Sequence, residues 1–274
     1  MLKSSLGDHL NLIDAFSMQN SKPQTIAFVG GGGKSTTMYR LASELADNQK
    51  KVLVSTTTMI FHPKQMKRPH HNFFIGKVDL FLKKLLPDKG TITVAGSELI
   101  ADEKKIKGFT PEEIEHIQKS GIFDIILVEA DGARGKPIKA PAEYEPVLPL
   151  DTDIVAGVIG MDCFGTKINE SNVHRSEIFI NVTNSSIDDI IETQIVNKLI
   201  NSPLGLFKNT SQKSRKIVIF NKSDTNYRIS KAEKIAEDIP ESLNIERILI
   251  TSMTGNTPVM AVIELNLPIL QELN

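Results

Sequence analysis

The chain has 274 residues, with 32 basic and 33 acidic side chains and a net charge of −1 at pH 7. That balance gives the chain no overall basic face, which argues against nucleic acid or an anionic membrane as the main partner. The single cysteine, Cys163, excludes an intrachain disulfide and a thiolate zinc site within one chain.

The length suits a single domain over residues 1–274, and with aromatics at 5% and no Trp the core must be aliphatic. The first residues lack the apolar stretch of a signal peptide, and no apolar run approaches membrane-spanning length, so a cytoplasmic protein is expected.

Residues 6–16 are expected to form a helix packed on the core. Residues 25–36 read TIAFVGGGGKST, an apolar strand running into four glycines and then Lys34-Ser35-Thr36. Gly30, Gly31, Gly32 and Gly33 let the backbone approach a ligand closely and turn successive N–H groups inward as an anion nest. The helix that follows adds the positive end of its dipole. In this tight GGxGK[ST] form of the P-loop, Lys34 is expected on the β- and γ-phosphates and Ser35 on Mg²⁺. Met38, Leu41, Ala42 and Leu45 then give one apolar helix face.

Strands are expected at 51–55 and 92–95, and Thr110-Pro111-Glu112-Glu113 reads as a capping box opening a helix to about residue 119. Thr56-Thr57-Thr58 could offer a hydroxyl to Mg²⁺ or the γ-phosphate, with Thr57 at the centre of the run. Equally, threonine is a common strand-end residue. His70-His71 has no Cys, Asp or Glu at ligand spacing and reads as a solvated pair.

The run at 124–129, DIILVE, is a buried strand that ends in Glu129-Ala130-Asp131-Gly132. An acidic residue there is where P-loop enzymes orient Mg²⁺, and the Gly132 N–H could contact the γ-phosphate. Arg134, just beyond, could stabilise transition-state charge in cis or be a solvated loop charge.

A strand at 154–159 precedes a long loop holding Asp162, Cys163, His174 and Arg175. The chemistry of Asp162, His174 and Arg175 suits substrate binding or proton transfer, and a surface loop would look the same, while Cys163 reads as a small buried or loop residue. Ser186 is expected to open a helix to about residue 200, and Ser230 with Glu233 to cap a third helix.

The strand at 216–220 runs into Asn221-Lys222-Ser223-Asp224. This NKxD pattern suits guanine: the Asp224 carboxylate would accept from N1–H and the exocyclic amine, Asn221 would brace the loop, and the Lys222 stem would stack on the ring. Adenine has an acceptor at N1 and would leave the carboxylate unpaired. After a strand at 247–251, Ser252 sits where a final guanine loop would be. Strands alternating with helices imply an α/β fold: a three-layer P-loop NTPase with a mostly parallel sheet and long functional loops at about 56–72, 131–153 and 160–174.

These motifs in this order resemble the metallocentre-maturation GTPases, a class that includes nickel-insertion GTPases, except that Val29 replaces the signature lysine of their ATPase relatives. More narrowly, FVGGGGKST, the threonine run, VEADGARGKPIKAP, Asp162 and His174-Arg175 resemble the YqeC-like family, proposed accessory proteins of selenium-dependent molybdenum hydroxylases. The resemblance implies functional roles for Asp131, Arg134, His174 and Arg175. It also implies a client hydroxylase or cofactor-maturation partner, but the nickel proteins' metal ligands have no counterpart here. The leading expectation is a Mg²⁺-dependent nucleoside triphosphatase, GTP-preferring with ATP possible, able to act as a homodimer. In it Asp131 would position the attacking water, and Lys34 and Arg134 would stabilise phosphate charge. The alternatives are a small-molecule kinase using Asp162, His174 and Arg175 to hold an acceptor, and a non-catalytic nucleotide sensor.

Overall fold

The computed structural model describes residues 3–6, 10–18, 23–100, 102 and 104–265. The chain begins β1 (Lys3–Leu6), α1 (Leu12–Ala15), β2 (Gln24–Gly30), α2 (Lys34–Asp47), β3 (Lys51–Thr56), β4 (Met59–Phe61), β5 (Asn72–Ile75) and α3 (Val78–Lys84). It continues with β6 (Thr91–Gly96), β7 (Glu98–Ile100), β8 (Lys105–Lys107), α4 (Pro111–Ser120), β9 (Ile125–Glu129), β10 (Ile138–Lys139), β11 (Ile154–Gly160) and β12 (Val173–His174). The last elements are α5 (Ser176–Thr183), α6 (Thr193–Asn201), β13 (Arg215–Asn221), α7 (Asn226–Glu237), β14 (Ile245–Thr251) and β15 (Val259–Glu264).

Ten strands form one sheet in the order β1-β15-β14-β13-β11-β2-β9-β3-β6-β5. All neighbouring pairs are parallel except those that β15 makes with β14 and β1. β2, β9 and β11 are buried at every position because both faces are covered. On β2, Ile26 and Phe28 join the core under α1 and α2, while Ala27 and Val29 join the core under α5, α6 and α7. On β9, Ile125 and Leu127 face α2, and Ile126 and Val128 face α3 and α4. The fold is thus three-layered α/β. β4, β8 and β7 make a separate antiparallel sheet, and β10 pairs in parallel with β12.

The parallel arrangement has one consequence for function. Gly30, Thr56, Glu129, Gly160, Asn221 and Thr251 end β2, β3, β9, β11, β13 and β14, so they converge on one edge of the sheet. The chain leaves β2 through α2 toward β3, whereas β11 flanks β2 on the other side, making β2 a switch point of the kind where α/β sheets bind ligands.

Three helix expectations need correction, and one helix was not expected. The helix expected from Ser186 begins at Thr193, because the Ser186 N–H bonds Asp189 Oδ2 at 2.7 Å and residues 186–189 close a turn instead. α7 starts four residues before Ser230, with Thr225 accepting from the Arg228 N–H. The Ser230 hydroxyl bonds back to Tyr227 O inside that helix. The N-terminal helix is a single turn capped by Asn11, residues 3–6 are strand, and residues 7–9 lie outside the described residues. α5 had no sequence signal, since its N-cap, Arg175, makes no side-chain cap.

Candidate nucleotide site

The turn from β2 into α2 can be made only by small residues. At Gly32, with φ +75°, a Cβ would lie 2.0 Å from the Gly160 nitrogen. At Gly33, with φ +118°, it would lie 2.4 Å from Asn221 Nδ2. Both positions combine left-handed backbone with contact against another strand end, so glycine is required twice over. Gly33 is the N-cap of α2 and offers no side-chain cap, leaving the first-turn N–H groups of α2 to a ligand or to water.

The loop is strutted from three directions. Gly31 N–H donates to Val158 O and Gly32 N–H to Lys136 O, both at 2.9 Å. Asn221 Nδ2 donates to Gly32 O at 2.8 Å, while its Oδ1 accepts from Met253 N at 3.2 Å and Thr251 Oγ1 at 3.3 Å. Asn221 therefore ties the β13 and β14 ends to the glycine loop. The 131–141 segment packs on the same loop, and Pro137 O accepts from Gly160 N at 2.9 Å.

Inside this frame lies a chain of alternating charges. Lys34 Nζ donates to Gly30 O at 2.6 Å and lies 3.1 Å from Asp131 Oδ1 and 3.9 Å from Glu129 Oε1. Ser35 Oγ donates to Glu129 Oε2 at 2.6 Å. Asp131 Oδ2 accepts from Gly30 N at 3.0 Å and faces Lys139 Nζ at 3.1 Å. Lys139 also donates to Gly132 O at 2.7 Å and ion-pairs with Glu145, which in turn holds Arg175 through Nη1 and, at 3.1 Å, Nη2. Lys34, Asp131, Lys139 and Glu145 are 4%, 2%, 1% and 4% exposed, so no water screens these pairs. Three cations thus face three carboxylates, and the buried set is internally neutral.

The electrostatics follow from that packing. Burial works to lower the Lys34 pKa, but the Asp131 and Glu129 carboxylates overcome it and the ammonium ends above its usual range. Burial pushes the Glu129 carboxyl up, against the pull of Lys34 and Ser35. Burial alone would raise Glu145, yet the bonds from Arg175 and Lys139 bring it down to about 2. His174 is lowered to about 4 by burial and by the neighbouring charges of Arg175, Lys139 and Arg134. The buried Cys163 thiol is pushed up to about 12, first by burial and then by Asp162, which makes it unreactive.

The expected residues divide by where the structure puts them. Lys34, Ser35, Glu129, Asp131 and the glycines meet in one place. Asp224 hydrogen-bonds Ser252 Oγ at the neighbouring β13 and β14 ends, on an open surface. Lys222, at φ +60°, is drawn to Asp162 Oδ2 at 2.6 Å. Asp162 is thereby tied to the NKSD loop, and Arg175 to Glu145, so these contacts do not join Asp162, His174 and Arg175 into one acceptor pocket. The Thr57 hydroxyl donates to Val147 O rather than facing the loop, while Thr56 Oγ1 donates to Glu129 O at 2.6 Å. Arg134 is exposed with φ +49°, and the space beside Gly132 is open. Lys139 and Glu145 were not singled out by sequence reasoning. Their only trace was the distinctiveness of the VEADGARGKPIKAP segment, since a buried lysine and its counter-ion carry no local signature. The His71 ring accepts from Ile92 N at 3.0 Å. Among the described residues no group of three or more His, Cys, Asp or Glu could hold a metal ion, and no helix is long and apolar enough to cross a membrane.

A family model described as YqeC protein matches residues 26–177. The uncharacterized protein YqeC of Escherichia coli (strain K12) is 33% identical over 201 residues, covering 73% of this chain and 77% of that protein. Among solved structures, FtsY from Mycoplasma mycoides is similar with a TM-score of 0.34 and 11% identity, over 88% of this chain and 59% of its own. Chloroplast FtsY from Physcomitrella patens gives 0.29 and 12%, over 87% of this chain and 52% of its own. The chain spans a little over half the length of those two structures, and likeness at that level carries no functional argument.

Proposed function

The chain belongs to the YqeC protein family, and on that premise we propose that it is a Mg²⁺-dependent nucleoside triphosphatase. We further propose that it prefers GTP and serves as an accessory factor in maturing a selenium- or molybdenum-dependent hydroxylase. The single observation that supports nucleotide binding is the contact between Ser35 Oγ and Glu129 Oε2 at 2.6 Å, beside Lys34 and a glycine loop that admits no Cβ.

The donor set fits the implied ligands. A hydroxyl and a carboxylate are hard oxygen donors of the kind Mg²⁺ accepts, and the uncapped first turn of α2 suits a phosphate chain. When bound, Mg²⁺ would neutralise phosphate charge and polarise the scissile bond. Ser35 and Glu129 would hold it. Lys34 would exchange its carboxylate partners for terminal phosphate oxygens, adding fixed charge where charge develops. Asp131 Oδ2 would stay anchored by the Gly30 N–H and Lys139, while its Oδ1, given up by Lys34, would position the attacking water. Arg134 and Gly132 sit on the open side of the same turn. Asp224 and Ser252 would read guanine, with Asn221 joining that loop to the phosphate loop and Lys222 flanking the base.

The accessory role rests on the family resemblance alone. Multiple-turnover phosphate release from GTP and ATP, with and without Mg²⁺, tests the reading. Hydrolysis lost on Lys34→Ala supports it, transfer of label to a metabolite would favour a kinase, and binding without turnover would leave a sensor.

A further inference from the structure

The loop at 62–71 places one arginine against the first turn of α2. Arg68 Nη2 donates to Thr36 Oγ1 at 2.8 Å, and its guanidinium lies 5.7 Å from the centre of the Tyr39 ring. Tyr39 stands three residues after Thr36 and four after Ser35, so all three side chains share one face of α2. That face is the one Ser35 turns to Glu129, and the Glu129 carboxylate is felt at the Tyr39 hydroxyl. Burial raises that hydroxyl's pKa first, with Arg68 opposing and Glu129 adding.

Two donors on this face have nothing to bond. Arg68 Nε and the Tyr39 hydroxyl are both buried without a hydrogen-bond partner among the described residues. Buried donors of this kind are rare and costly, which points to a ligand that completes them. Arg68 is also unusual among the arginines. Arg40, Arg175, Arg215, Arg228 and Arg247 each pair with a carboxylate, whereas among the described residues Arg68 and the exposed Arg134 have no such pair, and of these two Arg68 is the one held against α2 by Thr36 and Tyr39. The buried cations Lys34 and Lys139 are already matched by carboxylates, so beyond Lys34 and Mg²⁺ an arriving polyphosphate gains from any further cation beside the loop.

We propose that Arg68 is a cation supplied in cis to the nucleotide site, contacting the terminal phosphates and so favouring triphosphate over diphosphate. The inference rests on the nucleotide-binding reading above. Thr36 and the Tyr39 ring pre-place the guanidinium, which leaves its remaining N–H groups for phosphate oxygens in the forked geometry that arginine suits.

Calorimetric titration of Mg·GTP, Mg·GDP, Mg·ATP and Mg·ADP into wild type and Arg68→Ala tests it. The expected result is a triphosphate affinity lowered at least about tenfold, with diphosphate affinity within about threefold, and partial recovery in Arg68→Lys. Unchanged triphosphate affinity, or equal loss for both ligands, would overturn it, equal loss marking Arg68 as a brace for α2 alone. If Arg68→Ala does not fold, Arg68→Gln keeps a side chain able to reach Thr36 and carries the same comparison. A wild type silent to all four nucleotides would overturn this inference together with the nucleotide reading. A wild type that binds, beside an Arg68 variant that discriminates as well, would overturn the arginine assignment alone.

Discussion

Lys139 and Asp131 face each other at 3.1 Å with both side chains almost wholly out of water. This pair joins the glycine loop to a second buried carboxylate, Glu145, and through it to Arg175. Lys139→Met should leave buried Asp131 and Glu145 with one cation each, Lys34 and Arg175, in place of two. A loss of about 3–5 kcal/mol in urea unfolding is expected, much larger than for a surface lysine. A loss below about 1 kcal/mol would mean that Lys34 and Arg175 suffice to hold the two carboxylates.

Glycine replacements should separate a packed loop from an open one. Gly32→Ala drives a Cβ into the Gly160 backbone at 2.0 Å and at positive φ, whereas the space beside Gly132 is empty to 4 Å. Gly32→Ala should abolish nucleotide binding, and Gly132→Ala should melt within a few degrees of wild type. Thermal unfolding with nucleotide titration reads both.

Asn221 and Asp224 occupy one loop but different tasks. Asn221→Ala removes the Gly32 carbonyl's partner and leaves the Met253 N–H unpaired, so about 1–3 kcal/mol of stability should go, along with affinity for any nucleotide. Asp224→Asn should leave stability alone and narrow the GTP/ATP affinity ratio. An unchanged ratio would remove base recognition from this loop.

Acid should act in two windows. The folded-state pKa of His174, about 4, lies below its ordinary 6.5, so protonation favours the unfolded chain. Its share of stability is whole above pH 6.5 and declines as pH falls toward 4. Glu145, at about 2 against an ordinary 4.5, contributes above pH 4.5 and loses that contribution between 4.5 and 2. His174→Gln should flatten the first slope and Glu145→Gln the second. Unfolding free energy measured across pH 3–7 decides.

The strands and the phosphate loop could be read from the sequence because their causes are local. A run such as IAFV is buried on both faces, and a strand–glycine–Lys-Ser order has few uses. The capping box at Thr110 likewise appears in full, with the Glu113 carboxylate accepting from Thr110 N at 2.8 Å. What escaped was set by competing local bonds or by distant partners. Ser186 looks like a helix start until Asp189 takes its N–H, and α5 begins at a residue with no capping side chain. Lys139 looks like a solvated charge until Asp131 and Glu145 close on it, and Thr57 turns to Val147, ninety residues away. Arg68 acquires meaning only once its loop folds over α2.

Titrating labelled GTP and ATP into the purified protein, with and without Mg²⁺ and beside Lys34→Ala, tests the central claim most directly. Saturable, Mg²⁺-strengthened binding that favours GTP and disappears in the variant is the predicted result. No binding of either nucleotide, or binding untouched by the loss of the Lys34 ammonium, would contradict it.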